Sequence, residues 1–373
     1  MRIALVYDMD ACRGPTGVTR HALAQLERLA RRPEVELRLI SGRIGEPDGL
    51  AYWEGLGGLK RVELPLRTRD ALRVWRLVTW PPLELWSGGV DWAYCPAEYL
   101  VRTRTAKKAV TSHDVLQDLR FGSARRRELL GQVFGGADVV LSVSGFNTER
   151  LLEAFPDCRG KVAQVPNGAD DLFFEPPTDR ERLAVRPDLG VPKGMPYLLS
   201  VANFQPRKNL VRLVRAAGRL PEVARGDLAL VLLGEGSEED AWAIREAIAG
   251  LGPKAVVMLP GYRQGNALLA AYAEATALVF PSLCESFGIP AVEAMAAGCP
   301  VALADSTALP EVAGAAGWYF DPLHDDALTS ALRSLLDQAD DRARRVALGR
   351  AIAEGFRWDR SNAALVAALR RSS

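Results

Sequence analysis

Two glutamates eight residues apart, Glu285 and Glu293, have the spacing in this chain that is most suited to chemistry. They lie in residues 279–300, VFPSLCESFGIPAVEAMAAGCP, where an apolar strand leads through a loop into a helix of small residues. A loop that opens a helix presents unpaired backbone N–H groups and the positive end of the helix dipole. An ionised carboxylate accepts charge-assisted hydrogen bonds from hydroxyl groups. The segment therefore suits a ligand that carries both hydroxyl groups and an anion.

A pair of cations lies in a second loop of the same kind. Arg207 and Lys208 occupy the loop 203–209, NFQPRKN, between an apolar strand at 197–202 and a helix that begins at 210. Two adjacent cations are usually a solvated surface feature, but their position between a strand and a helix favours a binding site. They suit a diphosphate, because both donate charge-assisted hydrogen bonds to phosphate oxygens.

The first half offers a histidine and an aspartate at the end of a strand. His113 and Asp114 follow a short predicted strand at 109–112, and the ligand crevices of open α/β sheets lie outside the carboxyl ends of strands. The pair is therefore a site candidate, with a structural histidine as the alternative. Gly17 lies between the first strand and a helix, where phosphate groups bind. Without a complete GxGxxG, an ordinary turn is an equal alternative there.

Apolar runs alternate with helix-favouring segments along the chain, which is typical of α/β domains with parallel sheets. Right-handed crossovers place the strand-to-helix loops at one edge of such a sheet. That edge of the second half would gather the cations, the glycine turn 234–236 and the glutamate loop. Cations suit a diphosphate and carboxylates suit sugar hydroxyls. The ligand that fits both is a nucleoside diphosphate sugar.

The length of 373 residues predicts two domains. We place one α/β domain at 1–170, a linker at 171–195 and a second α/β domain at 196–355. A last helix at 356–373 is expected to pack back on the first domain. The linker is placed where the chain is rich in Pro, Asp and Glu and lacks hydrophobic periodicity.

Composition disfavours several classes of protein. The chain has 47 basic and 46 acidic residues, and this balance does not favour nucleic-acid binding. Its five scattered cysteines never have CxxC spacing, which argues for a reducing compartment and against a disulfide framework or a zinc site. We find no signal peptide and no run of about 18–20 apolar residues that could span a membrane. We therefore expect a cytoplasmic protein.

One segment leaves contact with a membrane open. Residues 67–89 carry Trp75, Trp80 and Trp86 among arginines, and a basic amphipathic segment with tryptophans can lie at a membrane interface. The alternative is a core helix whose arginines extend their charged ends to solvent. Peripheral contact with the inner face of the cytoplasmic membrane is thus one of two interpretations.

The second half of the chain closely resembles the retaining glycosyltransferases of family 4. The resemblance is strong over 197–326 and thinner in the first half, and the Glu-x7-Glu element of the family falls on Glu285 and Glu293. The matching segments are 203–209 (NFQPRKN), 234–236 (GEG), 261–262 (GY), 281–301, 309–314 (LPEVAG) and 320–322 (FDP), with 14–20, 113–114 (HD) and 165–168 (VPNG) in the first half.

This resemblance implies an α/β GT-B fold, in which two Rossmann-like, doubly wound parallel-sheet domains face a central cleft. The first domain would bind the acceptor and the second the nucleotide sugar. The implied reaction is retaining transfer of a hexose, mannose or glucose, from a donor such as GDP-mannose or UDP-glucose. The acceptor would be a saccharide or a lipid-linked saccharide in the synthesis of a surface polysaccharide such as lipopolysaccharide. No metal and no cofactor is expected.

The resemblance also assigns roles to residues. Arg207 and Lys208 would hold the donor diphosphate, Glu285 the donor sugar and Glu293 the ribose, while His113 would line the acceptor side near the anomeric carbon. Ser286 stands where many members have glycine, and the first loop has Gly14-Pro15-Thr16-Gly17 in place of Gly-Gly. The catalytic set is thus His113, Arg207, Lys208 and Glu285; the donor-binding set is Gly17, Asn203, Gly234, Gly261, Tyr262, Arg263, Ser286, Phe287, Gly288 and Glu293; the acceptor-side set is Asp114 and Asn167.

Other functions compatible with this fold remain open. A sugar-nucleotide epimerase or hydrolase would use the same donor without an acceptor, and an inactive subunit would bind the donor without transfer. Asp8-Met9-Asp10 is an Asp-x-Asp sequence, but it follows the first strand and we interpret it as a loop. A nicotinamide dehydrogenase is disfavoured because the GxGxxG with a downstream acid is missing.

Overall fold

The computed structural model describes residues 1–13, 16–45, 59–78 and 80–372, without the side chains of residues 12 and 13. The chain divides into two compact units, which we call the first unit, Met1–Gly168 with Trp358–Ser373, and the second unit, Ala169–Arg357. Gly14 and Pro15 of the predicted phosphate loop lie outside the described residues, as does most of the glycine-rich segment after residue 45.

In the described part of the first unit, seven parallel strands form one sheet in the order β3-β2-β1-β4-β5-β6-β7. The strand β1 shows why this sheet forms inside the unit: all of its residues after Arg2 are apolar and buried. Ile3 and Leu5 face one hydrophobic layer while Ala4 and Val6 face the other. The strands are β1 (Arg2–Val6), β2 (Glu36–Ser41), β3 (Lys60–Glu63), β4 (Trp92–Cys95), β5 (Lys107–Ser112), β6 (Val139–Ser142) and β7 (Val162–Gln164).

Helices cover both faces of this sheet. On one face the first helix packs with the last helix of the chain through Leu26, Leu29, Leu365 and Leu369. Polar bonds join the same two helices, since Gln25 donates to Ser361 at 2.8 Å. In its described residues, the α-helices of the first unit are Gly17–Ala30, Thr68–Leu77, Glu84–Ser87, Val115–Phe121, Ala124–Gly136, Gly145–Ala154 and Trp358–Arg371, with 3₁₀ turns at Met9–Arg13 and Pro156–Cys158.

The second unit is described throughout, and it contains a six-stranded parallel sheet in the order β10-β9-β8-β11-β12-β13. Its central strands are apolar and fully buried, as expected for a sheet covered by helices on both faces. The strands are β8 (Tyr197–Val201), β9 (Ala229–Leu233), β10 (Val257–Gly261), β11 (Ala277–Phe280), β12 (Val301–Ala304) and β13 (Gly317–Phe320).

The helices of the second unit lie between and after these strands. The α-helices are Asp179–Leu189, Leu210–Gly218, Pro221–Arg225, Glu238–Ala249, Gly265–Ala273, Ile289–Ala296, Leu309–Ala313, Asp325–Asp337 and Ala339–Ala353. The 3₁₀ turns are Asp171–Phe174, Pro206–Lys208, Gly314–Ala316 and Glu354–Phe356.

The segment 171–195, which we predicted as a linker, belongs to the second unit instead. It contains the helix Asp179–Leu189, which begins with a capping box between Thr178 and Glu181. Only Val185 and Leu189 of this helix are buried, so the sequence shows no hydrophobic stripe to indicate it. The Thr-x-x-Glu pattern was the signal that could have identified the helix.

Residues 67–89, which we call the tryptophan segment, divide into a buried part and an exposed part. Trp75 is buried, donates from Nε1 to Pro81 O at 2.7 Å and packs edge-to-face on Trp86. Trp80 is 64% exposed and Leu77 is 86% exposed. Neither interpretation of the sequence therefore holds for the whole segment. In the described part of the chain, the helices are all too short or too polar to cross a membrane.

Candidate functional site

The strand order of the second unit reverses between β8 and β11, which are hydrogen-bonded neighbours. Such a switch point leaves a crevice outside the carboxyl ends of the two strands. The loop after β8 carries Arg207 and Lys208, and the loop after β11 carries Glu285. The structure thus brings together the cation and carboxylate loops that the sequence predicts at one edge.

Lys208 and Glu285 form an ion pair through Nζ and Oε1, and each side chain is 11% exposed. The ammonium group of Lys208 also lies 5.6 Å from the centroid of the Phe280 ring. Two charges in this environment are stable because each compensates the other, and removal of one leaves a buried charge without a counter-ion. We call Lys208 and Glu285 the charged pair.

Arg207 joins the two loops through its backbone and its side chain. Its carbonyl oxygen accepts from the backbone N–H of Leu283 at 2.8 Å, and its Nη1 donates to Cys284 O at 3.1 Å. Its Nε donates to Gln205 at 3.0 Å. The guanidinium group is half-buried beside the charged pair's loops, which is where an anionic ligand would need a second cation.

The loop after β11 opens the helix Ile289–Ala296 through Gly288, whose φ is +100°. A Cβ atom at this position would also lie 2.6 Å from Leu309 Cδ2, so only glycine fits. Ser286 and Phe287 are buried, and the Phe287 ring packs edge-to-face on Phe356. The predicted role of residues 286–288 through their backbone N–H groups remains a prediction.

Glu293 is fully buried, whereas the sequence predicted that both glutamates contact one ligand. Its Oε2 accepts a hydrogen bond from the Tyr272 hydroxyl at 3.1 Å. The helix that carries it is buried from Ile289 to Ala296 except at Pro290. Contact with a ribose would require the Glu293 side chain to become accessible, so that role remains a prediction.

The other predicted donor residues lie on neighbouring strand ends. Gly234 directly follows β9 with a φ of +142°, and a Cβ atom there would lie 1.8 Å from Ala202 O. Asn203 and Tyr262 are exposed, and Gly261 ends β10. The side chain of Arg263 instead donates to Asp188, with Nε 2.7 Å from Oδ2. Its guanidinium is therefore held against the helix Asp179–Leu189, so it does not support the predicted donor-binding role of Arg263.

In the first unit, His113 follows β5 as predicted and is 7% exposed. Its Nε2 lies 2.8 Å from the carbonyl oxygen of Pro96, which can only accept, so Nε2 carries the proton. Its backbone N–H donates to Glu98. Both partners follow β4, one of the two strands at the switch point of this sheet.

His21 was not predicted as a site residue, yet it lies at the centre of a buried network. Its ring contacts that of His113 edge-to-face at 4.9 Å. Its Nδ1 donates to Asn167 Oδ1 at 2.8 Å, and its Nε2 accepts from the Tyr94 hydroxyl at 3.0 Å. Burial, and secondarily His113, holds the pKa of His21 well below its usual value. We call His21, Tyr94, Thr111, His113 and Asn167 the histidine cluster.

The structure gives the remaining predicted residues of the first unit different settings. Asn167, predicted on the acceptor side, is buried and binds His21. Asp114 caps the helix Val115–Phe121 by accepting from Gln117 N at 3.4 Å. Gly17 is exposed at the start of the first helix. The packing of Trp358 on His21, at 5.9 Å between centroids, brings the last helix to this cluster, and no local sequence signal indicates that contact.

The described residues contain no group of three or more His, Cys, Asp and Glu side chains that could hold a metal ion. Asp8 and Asp10 of the Asp-x-Asp sequence lie at the end of β1 and in the following turn. Asp10 accepts a hydrogen bond from Gly45 N at 2.8 Å. Its side chain therefore has a structural contact within the first unit.

The known proteins that this chain resembles are glycosyltransferases. Residues 181–351 match the family profile of glycosyl transferases group 1. The chain is 28% identical over 366 residues to the O-antigen chain mannosyltransferase B of Escherichia coli, covering 92% of this chain and 93% of that protein. It is 34% identical over 239 residues to a D-inositol 3-phosphate glycosyltransferase of Nocardia farcinica, but this segment spans 61% of the chain and only about half (51%) of that relative.

Solved glycosyltransferases share the fold along the whole chain, so the two parallel-sheet units have GT-B architecture. A crystal structure of HepE from Anabaena in complex with UDP-glucose matches with a TM-score of 0.77 and 17% identity, covering 100% of both chains. At this level of identity the match concerns the fold alone.

Proposed function

We propose that the protein is a retaining, metal-independent hexosyltransferase, because residues 181–351 match the profile of glycosyl transferases group 1. It would move mannose or glucose from a nucleotide diphosphate sugar to a saccharide or lipid-linked saccharide. The observation that carries the proposal is the charged pair of Lys208 and Glu285 at the switch point, beside Arg207. This arrangement offers cations to a diphosphate and a carboxylate to a sugar.

We propose that donor binding makes the charged pair exchange partners. The diphosphate would attract the ammonium group of Lys208 and the guanidinium group of Arg207. Glu285 would then be free to accept hydrogen bonds from hydroxyl groups of the donor sugar. Because Lys208 and Glu285 are almost buried, their interactions with a ligand would be weakly screened by water. Each group would gain new partners as it loses the old one: phosphate oxygens for Lys208 and sugar hydroxyl groups for Glu285.

Transfer would break the bond between the anomeric carbon and the β-phosphate oxygen and form a bond from that carbon to an acceptor oxygen. The negative charge that develops on the leaving diphosphate is the charge that Lys208, Arg207 and the helix N-terminus after Gly288 would stabilise. The acceptor proton would pass to a leaving phosphate oxygen. Attack on the same face as the leaving group retains the anomeric configuration without a covalent nucleophile.

The proposed sugar and pathway rest on the relatives. A relative that aligns with nearly all of this chain is named an O-antigen chain mannosyltransferase, which supports GDP-mannose as donor and a surface polysaccharide such as lipopolysaccharide as product. The HepE structure contains UDP-glucose, which supports UDP-glucose as the second donor to test. A cytoplasmic location would give access to both nucleotide sugars.

We propose that the exposed part of the tryptophan segment contacts the membrane, where a lipid-linked acceptor would be located. Val74, Leu77, Val78 and Trp80 are exposed on or just after the helix Thr68–Leu77, which also carries Arg69, Arg73 and Arg76. Apolar side chains among arginines fit an anionic lipid surface. Sedimentation with phosphatidylglycerol vesicles should fall several-fold in Leu77→Gln/Trp80→Gln but not in the control Leu183→Gln, which removes an equally exposed leucine. Equal sedimentation of both variants would refute the membrane contact.

The experiment for the main proposal is a screen of nucleotide sugars by thermal shift, followed by an assay of transfer. A donor at 100 times its Kd adds about 2.7 kcal/mol to the free energy of unfolding. We expect stabilisation by GDP-mannose or UDP-glucose, and transfer that is undiminished in EDTA. Turnover of the donor without any acceptor would favour an epimerase or hydrolase, saturable binding without turnover would favour an inactive subunit, and an absolute metal requirement would contradict the mechanism.

A further inference from the structure

In the part of the chain that the structure describes, the non-glycine residues with a left-handed backbone lie beside the charged pair. Among the described residues, Asn209 and Thr307 are the non-glycine residues with positive φ, at +60° and +56°. Asparagine tolerates this conformation, but a β-branched threonine rarely adopts it. Asn209 directly follows Lys208, and Thr307 is hydrogen-bonded to Glu285. Both strained residues thus adjoin a member of the charged pair.

Thr307 and its neighbours hold the backbone of Glu285 on both sides. The Glu285 backbone N–H donates to Thr307 Oγ1 at 3.1 Å, and the Glu285 carbonyl oxygen accepts from Ala308 N at 3.2 Å. The adjacent Ser306 hydroxyl donates to Ser282 O at 3.3 Å. The loop after β12 therefore fixes the loop after β11 at the residue that carries the carboxylate.

Asn209 fixes the backbone beside Lys208 in a similar way. Its Nδ2 donates to Pro281 O at 3.2 Å and to Pro322 O at 2.8 Å. The amide thus ties the residue after Lys208 to the start of the glutamate loop. Both members of the charged pair are held by a strained residue whose side chain makes a hydrogen bond across loops.

The side chain of Thr307 explains why a strained residue is used here. Glycine would adopt a φ of +56° without strain, but it has no hydroxyl group to accept from Glu285. Serine keeps that hydroxyl and reduces the crowding of the β-branch. We propose that Thr307 is a positioning residue: its hydroxyl fixes the Glu285 backbone so that the carboxylate faces Lys208 before donor binding and the donor sugar afterwards. The orientation of the carboxylate toward a donor sugar rests on the proposed function.

This role predicts that mutation of Thr307 affects binding of the sugar but not binding of the nucleotide. Glu285 would contact the sugar, whereas the nucleotide diphosphate would bind the cations. Loss of the Thr307 hydroxyl should therefore weaken the contribution of the sugar to binding and lower kcat, while affinity for the free nucleotide diphosphate stays nearly the same. A residue that only stabilises the fold would change both affinities together.

The test compares Thr307→Gly and Thr307→Val, which lose the hydroxyl, with Thr307→Ser, which keeps it. Amide hydrogen exchange at Glu285 reports its hydrogen bond without any substrate, so it tests the positioning role even if the proposed function fails. We expect exchange about tenfold faster in the glycine and valine variants and unchanged in the serine variant. Thr307→Gly should melt no lower than the native protein, because the relief of backbone strain offsets the lost hydrogen bond.

With GDP-mannose and UDP-glucose, we expect Thr307→Gly to lower kcat about tenfold and to leave the Kd of GDP or UDP within twofold. Thr307→Ser should retain kcat within about twofold. Unchanged exchange at Glu285 in Thr307→Gly would overturn the positioning role. A serine variant as impaired as the glycine variant, or equal weakening of nucleotide and nucleotide-sugar binding, would overturn it as well. If the native protein turns over no nucleotide sugar, the proposed function fails, and the exchange result alone decides the role of Thr307.

Discussion

The two units place buried polar clusters at their sheet edges, but the clusters are built from opposite kinds of interaction. The histidine cluster of the first unit is held together by hydrogen bonds, and each ring nitrogen of His21 has a partner in the scaffold. The charged pair of the second unit consists of two ions that compensate each other. A hydrogen-bonded network whose partners all belong to the protein keeps its shape without a ligand. A charged pair can exchange partners when a ligand brings an anion and hydroxyl groups.

The difference also predicts different costs of mutation. Breaking a buried ion pair by removing one partner typically costs about 3–5 kcal/mol, since a charge is left without a counter-ion. Removing one partner of a buried neutral hydrogen bond costs about 1–3 kcal/mol. Mutations in the two clusters should therefore differ in how much stability they cost and in whether they change donor affinity.

The largest effect is expected for Lys208→Ala. The variant should lose about 10²–10³ in kcat, as enzymes do when a group that stabilises developing charge is removed, and about 3 kcal/mol of stability. The double variant Lys208→Ala/Glu285→Ala should recover part of the stability but none of the activity, because no buried charge remains. Steady-state kinetics and urea unfolding measure the two quantities. The control Lys193→Ala removes an exposed lysine of the same unit, and near-native turnover of Lys208→Ala would contradict the assignment.

A smaller effect, confined to stability, is expected for Asn167→Ala in the histidine cluster. This change removes the acceptor of the His21 Nδ1–H, so unfolding should become about 1–3 kcal/mol easier. The Kd of the nucleotide diphosphate should not change, because the cations that would bind it are in the second unit. Urea unfolding and calorimetric titration on the same preparation make this comparison. A loss of nucleotide affinity in Asn167→Ala would remove the distinction between the two clusters.

The smallest effect is a dependence of stability on pH. Burial holds the pKa of His21 well below its usual value of 6.5 in the folded protein, so the unfolded chain binds more protons below about pH 6.5. The free energy of unfolding should therefore rise with pH up to about 6.5 and level off above it, with a slope from this group of at most about 1.4 kcal/mol per pH unit. Urea unfolding between pH 5 and 8 should show this component in the native protein and lose it in His21→Gln. An identical pH profile in both proteins would show that His21 does not titrate on unfolding.

Much of the fold could be predicted because it depends on local patterns. Buried parallel strands are continuous apolar runs, so the strand predicted at 197–202 is found at Tyr197–Val201. The helix predicted to begin at 210 is Leu210–Gly218. The prediction of two parallel-sheet α/β domains of GT-B type is confirmed. The predicted linker failed because the helix Asp179–Leu189 buries too few residues to show periodicity.

The sites could be predicted only in part, because residue types indicate chemistry but not burial. The loops of Lys208 and Glu285 could be placed at one edge, since strand ends of a parallel sheet meet there. The enclosure of Glu293 depends on Tyr272, 21 residues away, and the role of His21 depends on Asn167, 146 residues away. Such contacts are set by tertiary packing and leave no local pattern.

The central claim is that the edge with the charged pair binds a nucleotide sugar through separate cation and carboxylate contacts. Calorimetric titration of GDP, GDP-mannose, UDP and UDP-glucose into the native protein, Lys208→Ala and Glu285→Gln tests it most directly. We predict that one nucleotide sugar binds more tightly than its nucleotide diphosphate to the native protein. Glu285→Gln should lose this gain but retain nucleotide affinity, whereas Lys208→Ala should lose nucleotide affinity at least tenfold. Binding of none of the four ligands, or equal affinities in all three proteins, would contradict the account.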